Sequence, residues 1–465
     1  MWHLWALELP WLEPEAALTA WGNAPWCAFL DSGGPVDARS RWQILALHPK
    51  HTVCVANGLL HKDGAVQAES SPQAVFSALR HALPAQPQGA RYRPYDLPFY
   101  GGYIGFFDYH FGMQCEAVPS RHAKHDQPDS AFGFYEQVFV WDRLEKRAFL
   151  AGFSGDADAA LETQRLYQEL WNTVGCANTP APVPVPHLLF TPDQTRAAYC
   201  AAVKRAKQYI AAGDIFQVNI TGRYAAESEE PLDDLALYRA LRHAAPAPFA
   251  AYLRCGEAYA LHSTSPERFL HLDAQRYTCS RPIKGTAPRG KTDEEDRVFA
   301  QSLAVDEKEC SENLMIVDLM RNDIGRVAEI GSVTVPEFLK VERFAHVHHL
   351  VSEVRGKLAE GQDVFDLLQA TLPPGSVTGA PKHRAMQIID ELEASARGAY
   401  CGSIVCIGVE GQMESSVIIR TLVRHGNSLH IAAGGGITAL SDPDKEYAEM
   451  CLKIAPLLAV FGQEP

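Results

Sequence analysis

Positive charge is in short supply. Lys and Arg number 42 against 56 Asp and Glu, a net charge of −14. Such a chain is a poor nucleic-acid binder, because phosphate contacts need clustered Lys and Arg. Any anionic substrate has to be held by a few local basic groups against the overall field. Long apolar runs are missing as well, and with none near 18 residues no membrane-spanning helix is expected. The apolar N-terminus, "MWHLWALELPWLEPE", has no basic region and carries Glu8 and Pro10 early, unlike a secretory leader. The 11 cysteines are scattered singly, without a Cys-x-x-Cys pair. That favours free buried thiols and a cytoplasmic location. There is no internal repeat, and the glycine-rich segments fit neither the Walker nor the dinucleotide pattern.

What is present is an ordinary globular balance, 465 residues with 47% hydrophobic and 21% charged. The length suggests about two to four domains. The proline-rich "ANTPAPVPVPH" (177 to 187) reads as an extended connection, which divides an N-terminal region, 1–186, from a second region, 187–465. The segment 191 to 214 predicts a helix with Thr191 as N-cap, Pro192 in its first turn and Gly213 near its end. In "IFQVNITGRY", Phe216, Val218 and Ile220 alternate with Gln217, Asn219 and Thr221, a half-buried strand with a polar face. Strands are expected at 249–254, 259–264, 403–409, 416–422 and 429–433, and helices near 294–324, 362–371, 381–392 and 444–460. Elements in blocks predict an α+β fold of largely antiparallel sheets.

Two helices carry the same acidic spacing. Glu309 and Glu312 open an otherwise apolar helix, and Glu446 and Glu449 lie in "DPDKEYAEMCLK". Residues i and i+3 share a helix face. Burying like charges one turn apart is costly without a cation. Four such carboxylates suit Mg²⁺, a hard ion that prefers oxygen ligands; solvated helix faces are the alternative.

"PPGSVTGAPKHRAM" (373 to 386) is a loop feeding a helix, with Thr378 or Gly379 as its cap. "AAGGGIT" (432 to 438) places glycines after a strand, where backbone N–H groups approach an anion closely. Arg420 and Lys453 are candidate carboxylate clamps. In "FAHVHHLVSEV", a strand period puts His346 and His348 on one face and His349 on the other, which argues for a single functional histidine or a packing role over a zinc cluster.

Together, "SPERF", "RPIKGT", "ENLMIVDLMRNDIGRV", "HHLVS", "PGSVTGAPK", "AYCGSI" and "EYAEMCLK" resemble the chorismate-utilising enzymes, closely over 190–465 and more loosely before it. The resemblance implies large antiparallel β-sheets wrapped by helices around a cleft that holds Mg²⁺. It implies Glu312 and Glu449 as direct metal ligands, with Glu309 and Glu446 acting through bound water. It implies contacts to substrate from Gln217, Gly285, Thr286, Ser376, Tyr400, Arg420, Gly434, Gly436 and Lys453.

Two positions discriminate within the family. Members that add water resemble this chain but carry lysine where Gln217 stands, and a glutamine cannot serve as that base. Anthranilate-forming members show a small residue where Lys284 stands, whereas "PIKGT" matches the branch that aminates chorismate at C4 for p-aminobenzoate and folate synthesis. In that branch Lys284 is the nucleophile, Glu267 the candidate general acid, and the role of His349 open. Lys284 must shed its proton from a reference pKa of about 10.4, aided by desolvation or a nearby Arg281. No cysteine has glycine two places away on both sides, so the glutaminase elbow is missing and a glutamine amidotransferase subunit is expected to deliver ammonia. The anthranilate-forming activity is the enzymatic alternative, and a non-catalytic chorismate or tryptophan sensor is another. "AFLDSGG" resembles a tryptophan-binding segment of relatives, which makes Leu30, Asp31 and Ser32 a candidate pocket; Asp31 departs from the usual pattern there.

Overall fold

The computed structural model describes residues 2–34, 36, 40–84, 92–122, 127–174, 184–343 and 347–464. Among them, two antiparallel sheets of twelve strands each face one another, with eleven α-helices around them. The expected α+β architecture is the observed one.

The first sheet runs from His3–Leu9 through Arg147–Ser154, Gln137–Asp142, Trp42–Ala46 and Ala28–Asp31. It continues through Phe249–Arg254, Tyr259–Ser265, Thr421–His425 and Ser428–Ile437 to Gln217–Glu227. The second has Ile283–Pro288 at one edge, then Val347–Lys357, Tyr277–Ser280, Arg268–Leu272, Met413–Val417 and Ser403–Gly408. It ends in strands of the N-terminal region, beginning with Gly102–Phe107. Both sheets thus combine strands from either side of the proline-rich seam, most of which lies outside the described residues. One continuous apolar core reaches from Leu4 to Phe461. A second cluster, with Trp5, Phe139, Trp141 and Trp171, lies under the helices Pro14–Trp21, Ala157–Val174 and Asp234–Ala244. All ten cysteines of the described residues are free. No helix among those residues is long and apolar enough to cross a membrane.

Several local expectations are corrected. The helix of the 191–214 segment is Arg196–Ala211, capped by Thr195, whose Oγ1 accepts from Ala198 N at 3.2 Å. Thr191 and Pro192 instead pair with Ala225 and Tyr224 at the sheet edge. Neither Thr378 nor Gly379 caps the helix Lys382–Leu392; Pro381 occupies that position without a side-chain cap. The span 294–324 is two helices, Asp293–Ala304 and Glu307–Gly325, because Asp306 caps the second by accepting from Glu309 N at 3.0 Å. The polar face of "QVNIT" is buried, with Gln217, Asn219 and Thr221 all under a tenth exposed, whereas Phe216 is exposed. The span 416–422 is no single strand: the chain leaves the second sheet at Val417 and enters the first at Thr421.

Two buried ion pairs fix the loops between sheets and helices. Lys382, in the first turn of its helix, pairs with Asp323 and donates to Thr371 O at 2.8 Å, and both side chains are nearly fully buried. Arg397 pairs with Glu393 at 2.7 Å and donates to Val377 O at 2.7 Å and Asn219 O at 2.9 Å. Breaking a buried pair by removing one partner leaves an uncompensated charge, a loss of about 3–5 kcal/mol. Lys382→Met is therefore expected to lower unfolding stability by about that much, read from the urea midpoint. An unchanged midpoint would show that Asp323 does not depend on Lys382.

Candidate active site

The site forms where the chain crosses between the sheets. Glu267 lies on the crossing from Tyr259–Ser265 to Arg268–Leu272, and Arg420 on the crossing from Met413–Val417 to Thr421–His425. The crossings bond to one another: Val417 N donates to Glu267 O at 3.1 Å, Ser265 Oγ to Val417 O at 2.7 Å, and Thr264 N to Arg420 O at 3.0 Å. Arg420 sits in the left-handed region, φ +51°, uncommon outside glycine. Its guanidinium pairs with no carboxylate among the described residues. Burial lowers its affinity for a proton, with the nearby Tyr400 hydroxyl opposing. Burial also holds the Tyr400 hydroxyl neutral, far above the usual phenol range.

Lys284 enters from the edge strand Ile283–Pro288. Its partner strand pairs Lys284 with Leu350 and Thr286 with His349, and the register slips at Gly285 between them. Gly285 has φ +72°, and a Cβ there would lie 2.8 Å from Leu303 Cδ1 and 3.1 Å from Glu309 Oε2, so glycine is required. The Lys284 amine is 3.4 Å from Ser376 O, and it makes no ion pair among the described residues. Arg281, expected beside it, is instead committed to Glu337, Glu342 and Glu353. Burial pushes the Glu267 carboxyl up, opposed by a hydrogen bond from Ser376 and by the charges of Lys284 and Lys453. Lys284, Glu267 and Ser376 therefore share one place. His349 Nδ1 lies 3.0 Å from Thr286 Oγ1, one residue past the bulge. His348 points away and meets Asp296 at 2.9 Å, which leaves no zinc-like grouping of the two; His346 lies outside the described residues.

The two acidic helices belong to different sheets. Glu307–Gly325 packs on Val347–Lys357 and Pro443–Ala459 on Ser428–Ile437. Glu312 and Glu446 are buried, at 6% and 2% exposure, and Glu312 Oε1 has no hydrogen bond. Burial pushes the Glu309 and Glu312 carboxyls up, against the pull of Lys284 and Lys308. Glu449 moves the other way: burial opposes ionisation, but Lys453, with Lys308 and Lys284, outweighs it. Glycine backbone lines the wall. A Cβ at Gly436 would lie 2.4 Å from Gln217 Nε2 and 3.3 Å from Glu312 Oε2, so a side chain there would have to displace the buried Gln217 amide. Lys453 is held by Glu449 at 2.7 Å and by Gly434 O at 2.9 Å.

Among the described residues no three His, Cys, Asp or Glu groups are already drawn together as a metal cluster. The donor set nonetheless suits a hard divalent ion. It is all oxygen and drawn from two helices, with Glu312 and Glu446 buried, Glu309 half-buried and Glu449 exposed, and one buried oxygen, Glu312 Oε1, has no hydrogen bond.

Sequence reasoning missed three groups. Lys308 lies between the acidic helices, 3.3 Å from Glu446 Oε1 and 3.8 Å from Glu312 Oε1. Asn313 donates to Leu350 O at 3.3 Å and accepts from Ser352 Oγ at 2.5 Å, which ties the first acidic helix to the residue paired with Lys284. Arg397 and Glu393 hold Thr221 and Val377, next to Ser376. The i to i+4 spacings of Lys308 with Glu312 and of Glu393 with Arg397 were the signals within a short window. Leu30, Asp31 and Ser32 lie apart from this cleft, in a cavity of about 420 Å³ shared with Trp42, Phe249 and Met413. The Asp31 carboxylate is buried and already taken by Gln43, Tyr238 and Arg242.

Among the described residues, an arginine and a lysine without ion pairs lie with glycine backbone and carboxylates, a grouping suited to a small anionic substrate. The chain belongs to the chorismate binding enzyme family, whose model matches residues 29–459. It is 38% identical to aminodeoxychorismate synthase component 1 of Salmonella typhimurium, over 97% of each chain. It is 40% identical to anthranilate synthase component 1 of Thermus thermophilus, over 90% of this chain and 89% of that one. The crystal structure of anthranilate synthase component I from Streptococcus pneumoniae superposes with a TM-score of 0.77 at 31% identity, covering 91% of this chain and 94% of that one.

A carboxyl raised by burial can stay protonated above the usual carboxylate range and donate a proton there; the rate then falls as pH rises through its pKa. Glu267→Gln is expected to lower kcat by about 10²–10⁴ and to remove that alkaline fall. A pH–rate profile checks it, and an unchanged kcat would exclude Glu267 as the acid.

Proposed function

We propose that this chain aminates chorismate at C4, yielding 4-amino-4-deoxychorismate for p-aminobenzoate and folate synthesis. Overall identity favours neither aminating branch, since relatives of both names match at 38–40%. The single observation that carries the reading is Lys284, in "PIKGT", with its amine in no ion pair among the described residues and sharing Ser376 with Glu267.

The neutral Lys284 amine attacks C2 of chorismate. Both conjugated ring double bonds shift, C1=C2 to C1=C6 and C5=C6 to C4=C5, and the C4–oxygen bond breaks, with Glu267 giving its proton to the leaving hydroxyl, which departs as water. Ammonia then attacks C4, both double bonds shift back and the C2–nitrogen bond breaks; the proton that the attacking ammonia sheds balances the one the departing Lys284 amine regains. Two displacements replace one difficult step. Arg420, aided by Tyr400, receives a substrate carboxylate bidentately. The backbone at Gly434 and Gly436 and a released Lys453 complete the anion site. Gln217, lacking a base, leaves water unactivated. His349 orients the bulge that carries Lys284 through Thr286.

Glu309, Glu312, Glu446 and Glu449 would hold Mg²⁺. The ion supplies charge neutralisation for a substrate carboxylate in an otherwise acidic cleft. The ammonia donor is a glutamine amidotransferase subunit, and the "component 1" in a relative's name fits a two-part enzyme. The cavity at Leu30, Asp31 and Ser32 is of a size for a small ligand, and tryptophan is the candidate.

Incubation with chorismate, Mg²⁺ and ammonium is expected to give a product with an amine in place of the C4 hydroxyl and pyruvate retained, read by mass. Lys284→Ala is expected to lower its formation at least about 100-fold. Anthranilate with free pyruvate would replace this reading with the anthranilate-forming one. No turnover at all would favour a sensor.

A further inference from the structure

Lys308 has no part in the steps above, yet it occupies the centre of the acidic cleft. Its ammonium is the group that joins the two acidic helices, 3.3 Å from Glu446 Oε1 on one and 3.8 Å from Glu312 Oε1 on the other. Of the other nearby cations, Lys453 is committed to Glu449 and Gly434 O, and Lys284 acts on Glu312 by its charge but forms no ion pair with it among the described residues. Lys308 lies in the first turn of its helix, where the dipole disfavours a positive charge, so helix stability does not account for it. Its side chain is 32% exposed on a flexible four-carbon stem, which leaves it a way out into solvent.

We infer that Lys308 is a tethered counter-cation: its ammonium holds Glu312 and Glu446 together when no divalent ion is bound, and withdraws when one enters. This rests on the Mg²⁺ reading of the four carboxylates. The two cations exclude one another. An Mg²⁺ ion on these carboxylates lies about 2.0–2.1 Å from its oxygens, in the space the ammonium fills. Glu312 Oε1, with an ion pair but no hydrogen bond, is where Lys308 grips least and where the ion gains most. Lys308 thereby spares the metal-free protein the repulsion of buried carboxylates and weakens the metal by competition.

Titration calorimetry of the full chain with MgCl₂ tests this, together with thermal unfolding with and without Mg²⁺. Lys308→Met keeps the stem and removes the charge. It is expected to bind Mg²⁺ roughly tenfold tighter, to melt lower than the parent without the ion, and to gain more from the ion. Lys308→Arg, which keeps the charge, is expected to bind Mg²⁺ no tighter than the parent and to melt near it. Equal or weaker Mg²⁺ binding by Lys308→Met would overturn the inference, as would equally tight binding by both variants. If Lys308→Met does not fold, Lys308→Gln takes its place with the same expectations. A parent chain that takes up no Mg²⁺ would fail the metal reading itself, which is distinguishable from a parent that binds and a variant that binds alike.

Discussion

Two neighbouring passages of chain between the sheets set the geometry of this molecule. A strand that leaves one sheet must turn its backbone polar groups to something else, and here the two passages satisfy each other: Val417 N to Glu267 O, Thr264 N to Arg420 O, Ser265 Oγ to Val417 O. Each passage carries one candidate site residue, Glu267 or Arg420, at its bend. The unusual backbone of Arg420 follows from this, because the chain reverses onto a new sheet within three residues. The position of Glu267 relative to Arg420 is therefore a property of sheet connection and not of any flexible loop.

Electrostatics then divides the cleft. On a chain of net charge −14, two neighbouring helices carry two carboxylates each, and burial works against ionisation at Glu309, Glu312 and Glu449 alike. What offsets this cost is a small set of lysines, Lys284, Lys308 and Lys453, each within reach of more than one carboxylate. Arg420, buried beside Tyr400, has no carboxylate partner among the described residues. A buried cation without a partner demands an anion, whereas the carboxylates demand a cation.

Around that cleft, buried polar ties do the positioning. Asn313 links the first acidic helix to the strand beside Lys284, Lys382 anchors the 373–381 loop through Asp323, and Arg397 draws Val377 towards the Gln217 strand. None of these residues needs to touch a substrate. They hold Ser376 where its carbonyl meets Lys284 and its hydroxyl meets Glu267.

What the sequence determined by itself is local. Spacing of i to i+3 placed Glu309 with Glu312, and Glu446 with Glu449, on helix faces, because the helix repeat is set by backbone geometry alone. Alternation marked "QVNIT" as a strand, and the motifs together marked the family. Boundaries that depend on competing neighbours were less legible: Thr195 won over Thr191 as a cap once Thr191 found a strand partner, and Asp306 split one expected helix into two. Only the tertiary structure decided which polar residues are buried and what faces what. No local pattern singled out Lys308, Lys382 or Arg397, because Glu446, Asp323 and the Asn219 carbonyl reach them from distant segments. Arg281 read as a neighbour of Lys284 until three glutamates claimed it. Burial and pairing across hundreds of residues are sums over contacts that no short window contains, whereas helix faces and strand alternation are written within a few residues of each other.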